Sequence, residues 1–92
     1  MKIEFSPNCK KKLKKIKSTD NGLFQKIQKQ LVIFQQTPSH PSLRLHKLSG
    51  GQEDGWSISV GMSQRMLFYY RQSESGRVVV FFTIGKHEEV YR

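Results

Sequence analysis

The sequence predicts an α+β fold in which a mostly antiparallel sheet of four to five strands carries an N-terminal helical hairpin on one face. Three observations predict it. Apolar residues recur at helical spacing between Pro7 and Gln35, they alternate with polar residues after residue 42, and the segment from Val78 to Ile84 is apolar on both faces. A chain of 92 residues is expected to form a single domain spanning 1–92, with the element order β-α-α-β-β-β-β.

The N-terminal elements follow from spacing and from residues that start helices. Ile3 and Phe5 alternate with polar neighbours, which predicts a short first strand. Ser6 can cap a helix whose first position is Pro7, and Asp20 or Asn21 can cap the next helix. The predicted bounds are Lys2 to Phe5 for the strand, Pro7 to Lys17 for the first helix and Asn21 to Gln35 for the second.

Alternating residues predict four strands in the second half of the chain. The predicted segments are Leu43 to Leu48, Trp56 to Val60, Arg65 to Arg71 and Val78 to Ile84. In the second of these, Trp56 and Ile58 are expected to face the helices. Ser57 and Ser59 would then lie on the other face, which two helices cannot also cover. We therefore expect that face to be open and concave, with room for a ligand.

The net charge of +9 is confined to the first half of the chain. Residues 1–50 contain ten Lys and one Arg against one Glu and one Asp, whereas residues 51–92 contain five cations and five anions. This asymmetry predicts a basic surface for nucleic acid or for an acidic protein partner.

Several classes of function are disfavoured by what the sequence does not contain. Cys9 is the only cysteine, so no internal disulfide is possible, and a reducing cytoplasmic location is expected. No apolar run approaches the ~18 residues of a membrane span, and no secretory signal is evident. No recognised metal-ligand spacing, phosphate-binding loop or dinucleotide motif occurs, so neither a metal nor a cofactor is expected.

The side chains best suited to catalysis lie near the C-terminus and at the start of the predicted strand Arg65 to Arg71. His87 and Tyr91 follow the apolar strand at a spacing of four, and Arg65 precedes a strand beside it. Histidine transfers protons near neutral pH, arginine binds phosphate through two parallel hydrogen bonds, and tyrosine stacks on or orients a base. Such a set suits phosphodiester cleavage by a ribose 2′-hydroxyl, but each residue could equally be structural.

Three segments of the chain resemble the RelE/ParE superfamily of bacterial toxins from type II toxin–antitoxin systems, and most of all its RelE-like and YafQ-like members. They read HPSLRLHKLSG, WSISVGMSQRMLFYY and IGKHEEVYR. The resemblance implies a ribosome-associated, metal-independent endoribonuclease that enters the ribosomal A site and cuts mRNA. It also implies a cognate antitoxin that wraps around the toxin.

By position, the resemblance implies catalytic roles for His87, Arg65 and Tyr91. Candidate RNA contacts are Arg44, His46, Lys47 and Lys86, together with Lys10, Lys11 and Lys14 of the lysine-rich helix. Ser57 and Ser59 stand where relatives carry basic or other catalytic residues. Two alternatives therefore stay open: a ParE-like inhibitor of DNA gyrase, and a non-catalytic toxin that only binds its antitoxin.

Overall fold

A computed structural model describes residues 1–48, 55–86 and 90, and it confirms the predicted α+β class. The elements are β1 (Lys2–Phe5), α1 (Pro7–Thr19), α2 (Asn21–Gln36), a 3-10 turn (Pro41–Leu43), β2 (His46–Lys47), β3 (Gly55–Ser59), β4 (Gln64–Ser73) and β5 (Gly76–Lys86). The strands form one sheet in the order β1-β5-β4-β3-β2. β1 runs parallel to β5, and every other pairing is antiparallel.

Both helices begin where the sequence predicts, because a side chain caps each of them. The Ser6 hydroxyl accepts a hydrogen bond from the Cys9 amide at 3.1 Å, and the Asp20 carboxylate accepts one from the Leu23 amide at 3.1 Å. α1 and α2 extend two residues and one residue beyond their predicted ends. None of the helices in the described part of the chain is long and apolar enough to cross a membrane.

The helical hairpin packs on one face of the sheet around a cluster of aromatic rings. Phe34 of α2 lies 5.1 Å from Phe68 and 5.8 Å from Phe81, measured between ring centroids, and all three side chains are fully buried. Aromatic pairs at this separation add to the free energy that apolar burial supplies. Ile58 and Val79 complete the core from neighbouring strands.

The segment after Pro41 differs from its prediction. A strand was expected from Leu43 to Leu48, but the chain makes a 3-10 turn at Pro41–Leu43, and the strand covers only His46–Lys47. Pro41 fixes the backbone angle of the first turn residue, and the His40 ring accepts a hydrogen bond from the Ser42 amide at 3.1 Å. Leu43 is thereby directed into the core, where it is fully buried.

The face of the sheet away from the helices is less open than predicted at Ser57. Its side chain is fully buried, and in the sheet it lies between its paired neighbours His46 and Leu67. Further along this face, Arg71 of β4 reaches across β5 to Glu4 of β1 at 2.6 Å. That ion pair helps to cover the valines of β5 beneath it.

Candidate functional site

A cavity of about 480 Å³ opens at the edge of β3, between α2, the 3-10 turn and the β3–β4 hairpin. This volume falls within the range of roughly 300–1,000 Å³ that is usual for ligand sites. The lining residues are Lys26, Lys29, Gln30, Ser42, Arg44, Ser59, Val60, Gly61, Met62 and Arg65. Hereafter this space is called the β3-edge cavity.

The cavity exists because β2 is too short to cover the whole edge of β3. Its two residues pair with Trp56 and Ser57, so within the described residues no strand pairs with Ser59 on the β2 side of β3. The Ser59 carbonyl instead accepts a hydrogen bond from the Gln30 amide nitrogen at 3.0 Å. The same nitrogen lies 3.3 Å from the Ser42 carbonyl, so Gln30 connects all three walls of the cavity.

The cavity is lined by four cations and, among the described residues, by no acidic side chain. Lys26 and Lys29 lie three apart on α2 and therefore project from the same side of that helix. Arg44 follows the 3-10 turn, and Arg65 lies near the start of β4. A confined space with this charge attracts anions strongly.

Arg65 is half-buried and stands directly opposite Ser59 in the pairing of β3 with β4. Its guanidinium donates one hydrogen bond, from Nη1 to the Gln64 carbonyl at 3.1 Å. A guanidinium has five N–H donors, and among the described residues this is the one hydrogen bond that the Arg65 guanidinium donates. Most of its donors are therefore available to a ligand. Arg65 can therefore grip an oxyanion while its position stays fixed by the backbone.

Arg44 reaches the cavity from an uncommon backbone conformation. Its φ of 47° and ψ of 45° place it in the left-handed region, and it is the one non-glycine residue there among those described. His46 Nδ1 lies 3.1 Å from the Arg44 carbonyl, which helps to hold this bend. The turn thus directs a cation, rather than a glycine, towards the cavity.

Ser59 adds a neutral donor. Its side-chain oxygen is buried and has no hydrogen-bond partner among the described residues, and the residue as a whole is 8% exposed. Buried hydroxyl groups are nearly always paired, so an unpaired one is an unusual feature. The cavity lies at the edge of β3 beside α2, and not on the sheet face away from the helices, where the sequence predicts room for a ligand.

The structure brings together two of the predicted site residues, Arg44 and Arg65. The other described candidates are all exposed and lie elsewhere: His46 and Lys47 on β2, Lys86 at the end of β5, and Lys10, Lys11 and Lys14 on α1. His87 and Tyr91 lie outside the described residues. The roles predicted for all of these residues stay predictions.

Sequence reasoning missed Lys26, Lys29, Gln30 and the unpaired hydroxyl of Ser59. The spacing of Lys26 and Lys29 on the predicted helix indicates a basic face, but nothing local shows that Arg44 and Arg65 lie opposite to it. The lysine residues of α1 are denser in the sequence and therefore predict a basic surface on that helix instead.

Comparison with known proteins identifies the fold. No protein-family model and no curated protein matches the sequence significantly. Among solved structures, the YoeB/ParE toxin from Agrobacterium tumefaciens superposes with a TM-score of 0.78 and 18% identity, over 95% of this chain and 99% of that chain. YafQ from E. coli gives 0.72 and 15%, over 98% and 97%.

A third similar structure is the YoeB–YefM toxin–antitoxin complex from Staphylococcus aureus, with a TM-score of 0.72 and 17% identity over 95% of this chain and 97% of that chain. Each similarity covers nearly the whole of both chains, so the agreement concerns the complete arrangement of helices and strands. The chain has the fold of the YoeB, ParE and YafQ toxins, as its resemblance to the RelE/ParE superfamily predicts.

Proposed function

We propose that this chain is the toxin of a type II toxin–antitoxin system and that it acts as a ribosome-associated endoribonuclease on mRNA in the cytoplasm. The observation that carries the proposal is the pairing of this fold with a guanidinium, that of Arg65, held half-buried in a cationic cavity. Two of the solved structures that share the fold are described as a toxin or as a toxin–antitoxin complex. The cavity supplies the positive charge that an RNA phosphate requires.

The proposed reaction is attack of a ribose 2′-oxygen on the adjacent phosphorus, with cleavage of the bond to the 5′-oxygen. Arg65 stabilises the negative charge that develops on the phosphoryl oxygens. His87 takes part in proton transfer, either from the 2′-hydroxyl or to the leaving 5′-oxygen, and Tyr91 stacks on or orients a base. These steps call for no metal ion.

The sheet register supports a shared location for these groups. Arg65 pairs with Gly85, and Gln64 pairs with Lys86, the last residue of β5. His87 is the next residue in the sequence. Arg65 therefore lies beside the end of β5, and its paired residue Gly85 comes two positions before the residue to which proton transfer is assigned.

The proposal predicts that expression of the chain produces cuts in translated mRNA, which primer extension locates to the nucleotide. Arg65→Ala should lower the cleavage rate about 100-fold or more, the usual consequence of losing one donor to a transition-state oxyanion. His87→Ala should lower it by a similar factor through loss of proton transfer. Arg77→Ala removes the same charge from an exposed site over the Tyr70 ring and should leave the rate unchanged.

Undiminished cutting by both the Arg65 and His87 variants would refute the assigned chemistry. Inhibition of DNA gyrase by the purified chain, with no mRNA cleavage, would instead establish the ParE-like alternative. The likeness to a structure described as a YoeB/ParE toxin makes that assay the necessary companion experiment. Expression without growth arrest would favour the non-catalytic alternative.

We also propose a cognate antitoxin as the protein partner. The first half of the chain carries the whole net charge of +9, which favours an acidic and partly disordered chain that orders on binding. YoeB and YafQ have each been solved with an antitoxin, YefM and DinJ respectively. Co-expression of the protein encoded beside this chain should restore growth.

A further inference from the structure

We propose that the β3-edge cavity is a second phosphate site, which binds a backbone phosphate of single-stranded RNA next to the one that is cut. The choice of RNA rests on the proposed function, whereas the binding of a phosphate group does not. The residues that form the site are Lys26, Lys29, Arg44 and Ser59, with Arg65 between this site and the reacting phosphate. All five line the same cavity.

The first argument is charge. Four cations converge from three separate elements, and no acidic side chain of the described residues lines the cavity to neutralise them. Like charges that share a partly enclosed space repel one another, so the arrangement is unfavourable while the cavity holds only water. An anion that enters the cavity removes this repulsion.

The second argument is independent of charge and concerns Ser59. The residue lines the cavity, and its hydroxyl is buried without a hydrogen-bond partner among the described residues, which costs free energy unless a ligand supplies an acceptor. An anion in the cavity supplies that acceptor. A merely solvated patch of lysines does not account for a buried, unpaired hydroxyl in a residue that lines the cavity.

The third argument distinguishes phosphate from other anions. The two guanidinium groups, of Arg44 and Arg65, present planar pairs of donors, which match two oxygens of a tetrahedral phosphate. Two ammonium groups and one hydroxyl can serve the remaining oxygens. Val60 and Met62 provide an apolar part of the wall, which suits the attached ribose.

The position of Arg65 gives the site its role in the reaction. One guanidinium that contacts both phosphates fixes the distance between the reacting phosphate and its neighbour along the strand. Binding free energy from the neighbouring phosphate is the same in the bound substrate and in the transition state, because this phosphate does not react. The site therefore affects KM more than kcat, in contrast to His87.

The test is an NMR titration of the full chain with a hexaribonucleotide carrying 2′-O-methyl groups, which cannot react, and separately with inorganic phosphate. We expect both ligands to shift the backbone amide signals of Arg44 and Ser59. Ser59→Ala should weaken RNA binding about tenfold without changing the net charge. Lys26→Gln combined with Lys29→Gln should weaken it by a similar factor and reduce its dependence on salt concentration.

Matched controls are available in the chain. Lys15→Gln combined with Lys17→Gln removes the same two charges from the exposed side of α1, and Ser39→Ala removes an exposed hydroxyl. Both controls should bind RNA within about twofold of the parent chain. The amide spectrum of each variant shows directly whether it is folded.

Several outcomes would overturn the inference: no shift at Arg44 and Ser59, equal losses in the control variants, or equally tight binding of an acidic peptide of the same charge. Failure of the proposed function looks different. If the chain binds the unreactive RNA through Ser59 but never cuts mRNA, the phosphate site is supported and the proposed nuclease activity is refuted. If the chain cuts mRNA and Ser59→Ala leaves the KM unchanged, the proposed nuclease activity is supported and the phosphate site is refuted.

Discussion

Arg44 shows how a single residue combines backbone strain with a functional position. A residue with a Cβ atom in the left-handed region costs roughly 1–2 kcal/mol, and the buried Leu43 beside it holds the chain there. No local signal in the sequence marks this conformation, since Asn or Gly would be the usual residue. The alternation of Leu43 and Leu45 predicts a strand, but the packing of Leu43 in the core stabilises a 3-10 turn there instead.

The strain at Arg44 leads to a prediction about stability. Arg44→Val should lower the free energy of unfolding by about 1–2 kcal/mol, because a β-branched side chain is least tolerated at positive φ. Arg44→Gly should leave it unchanged or slightly higher, since glycine adopts this conformation freely. Urea unfolding measures both, and a more stable valine variant would contradict the account of the turn.

Cys9 should be an unreactive thiol. It is fully buried, and this burial raises its pKa to about 11 from an ordinary value of 9.0. We expect alkylation by iodoacetamide at pH 8 to be far slower than for the unfolded chain in urea. Because the folded pKa lies above the unfolded one, this thiol stabilises the fold fully below pH 9, and that contribution is lost as the pH rises to about 11.

Glu4 should contribute stability with the opposite dependence on pH. Its hydrogen bond with Arg71, assisted by the charges of Arg71 and Lys2, lowers its pKa in the folded chain. That contribution is present above the ordinary pKa of the carboxyl group and is lost as the pH falls through the lowered one. Glu4→Gln should therefore destabilise the chain at pH 7, but not at pH 2.

Thermal unfolding at both pH values checks this prediction. Glu74→Gln, in the exposed turn between β4 and β5, is the matched control. An equal loss of stability at pH 2 and pH 7 would show that Glu4 acts through packing rather than through its charge.

At the scale of elements, the helices were the most predictable part of the fold. Their caps are local: Ser6 and Asp20 each bond an amide three residues ahead, so the signal lies within one turn of chain. The shortness of β2 was not predictable in this way. The length of β2 depends on where the 3-10 turn places His46 relative to β3. The position of that turn is set by the packing of Leu43 in the core.

Gln30 is the residue whose loss should loosen the contact between α2 and the edge of β3. Gln30→Ala removes the hydrogen bonds to the Ser59 and Ser42 carbonyls and should cost about 1–2 kcal/mol in the free energy of unfolding. Gln28→Ala, at an exposed position on the same helix, should cost less than about 0.5 kcal/mol. Equal effects of the two substitutions on urea unfolding would mean that Gln30 does not brace the cavity.

At the scale of the whole molecule, the fold could be predicted further than the site. The sheet and the helical hairpin follow from periodicity, which each segment carries by itself. The cavity combines residues from 26 to 65, and only the strand order and the short β2 bring them together. Arg44 and Arg65 could be named from the sequence as separate candidates. Their meeting with Lys26 and Lys29 follows only from tertiary structure.

The parallel pairing of β1 with β5 also limits when the sheet can close during synthesis of the chain. β1 lies against β5, and among the described strands it has no other neighbour. A growing polypeptide thus cannot close its sheet until residues 76–86 have been translated, since contacts so distant in sequence form late. Fragments that end before Gly76 would lack β5, the strand that joins β1 to the rest of the sheet, and we expect them not to fold.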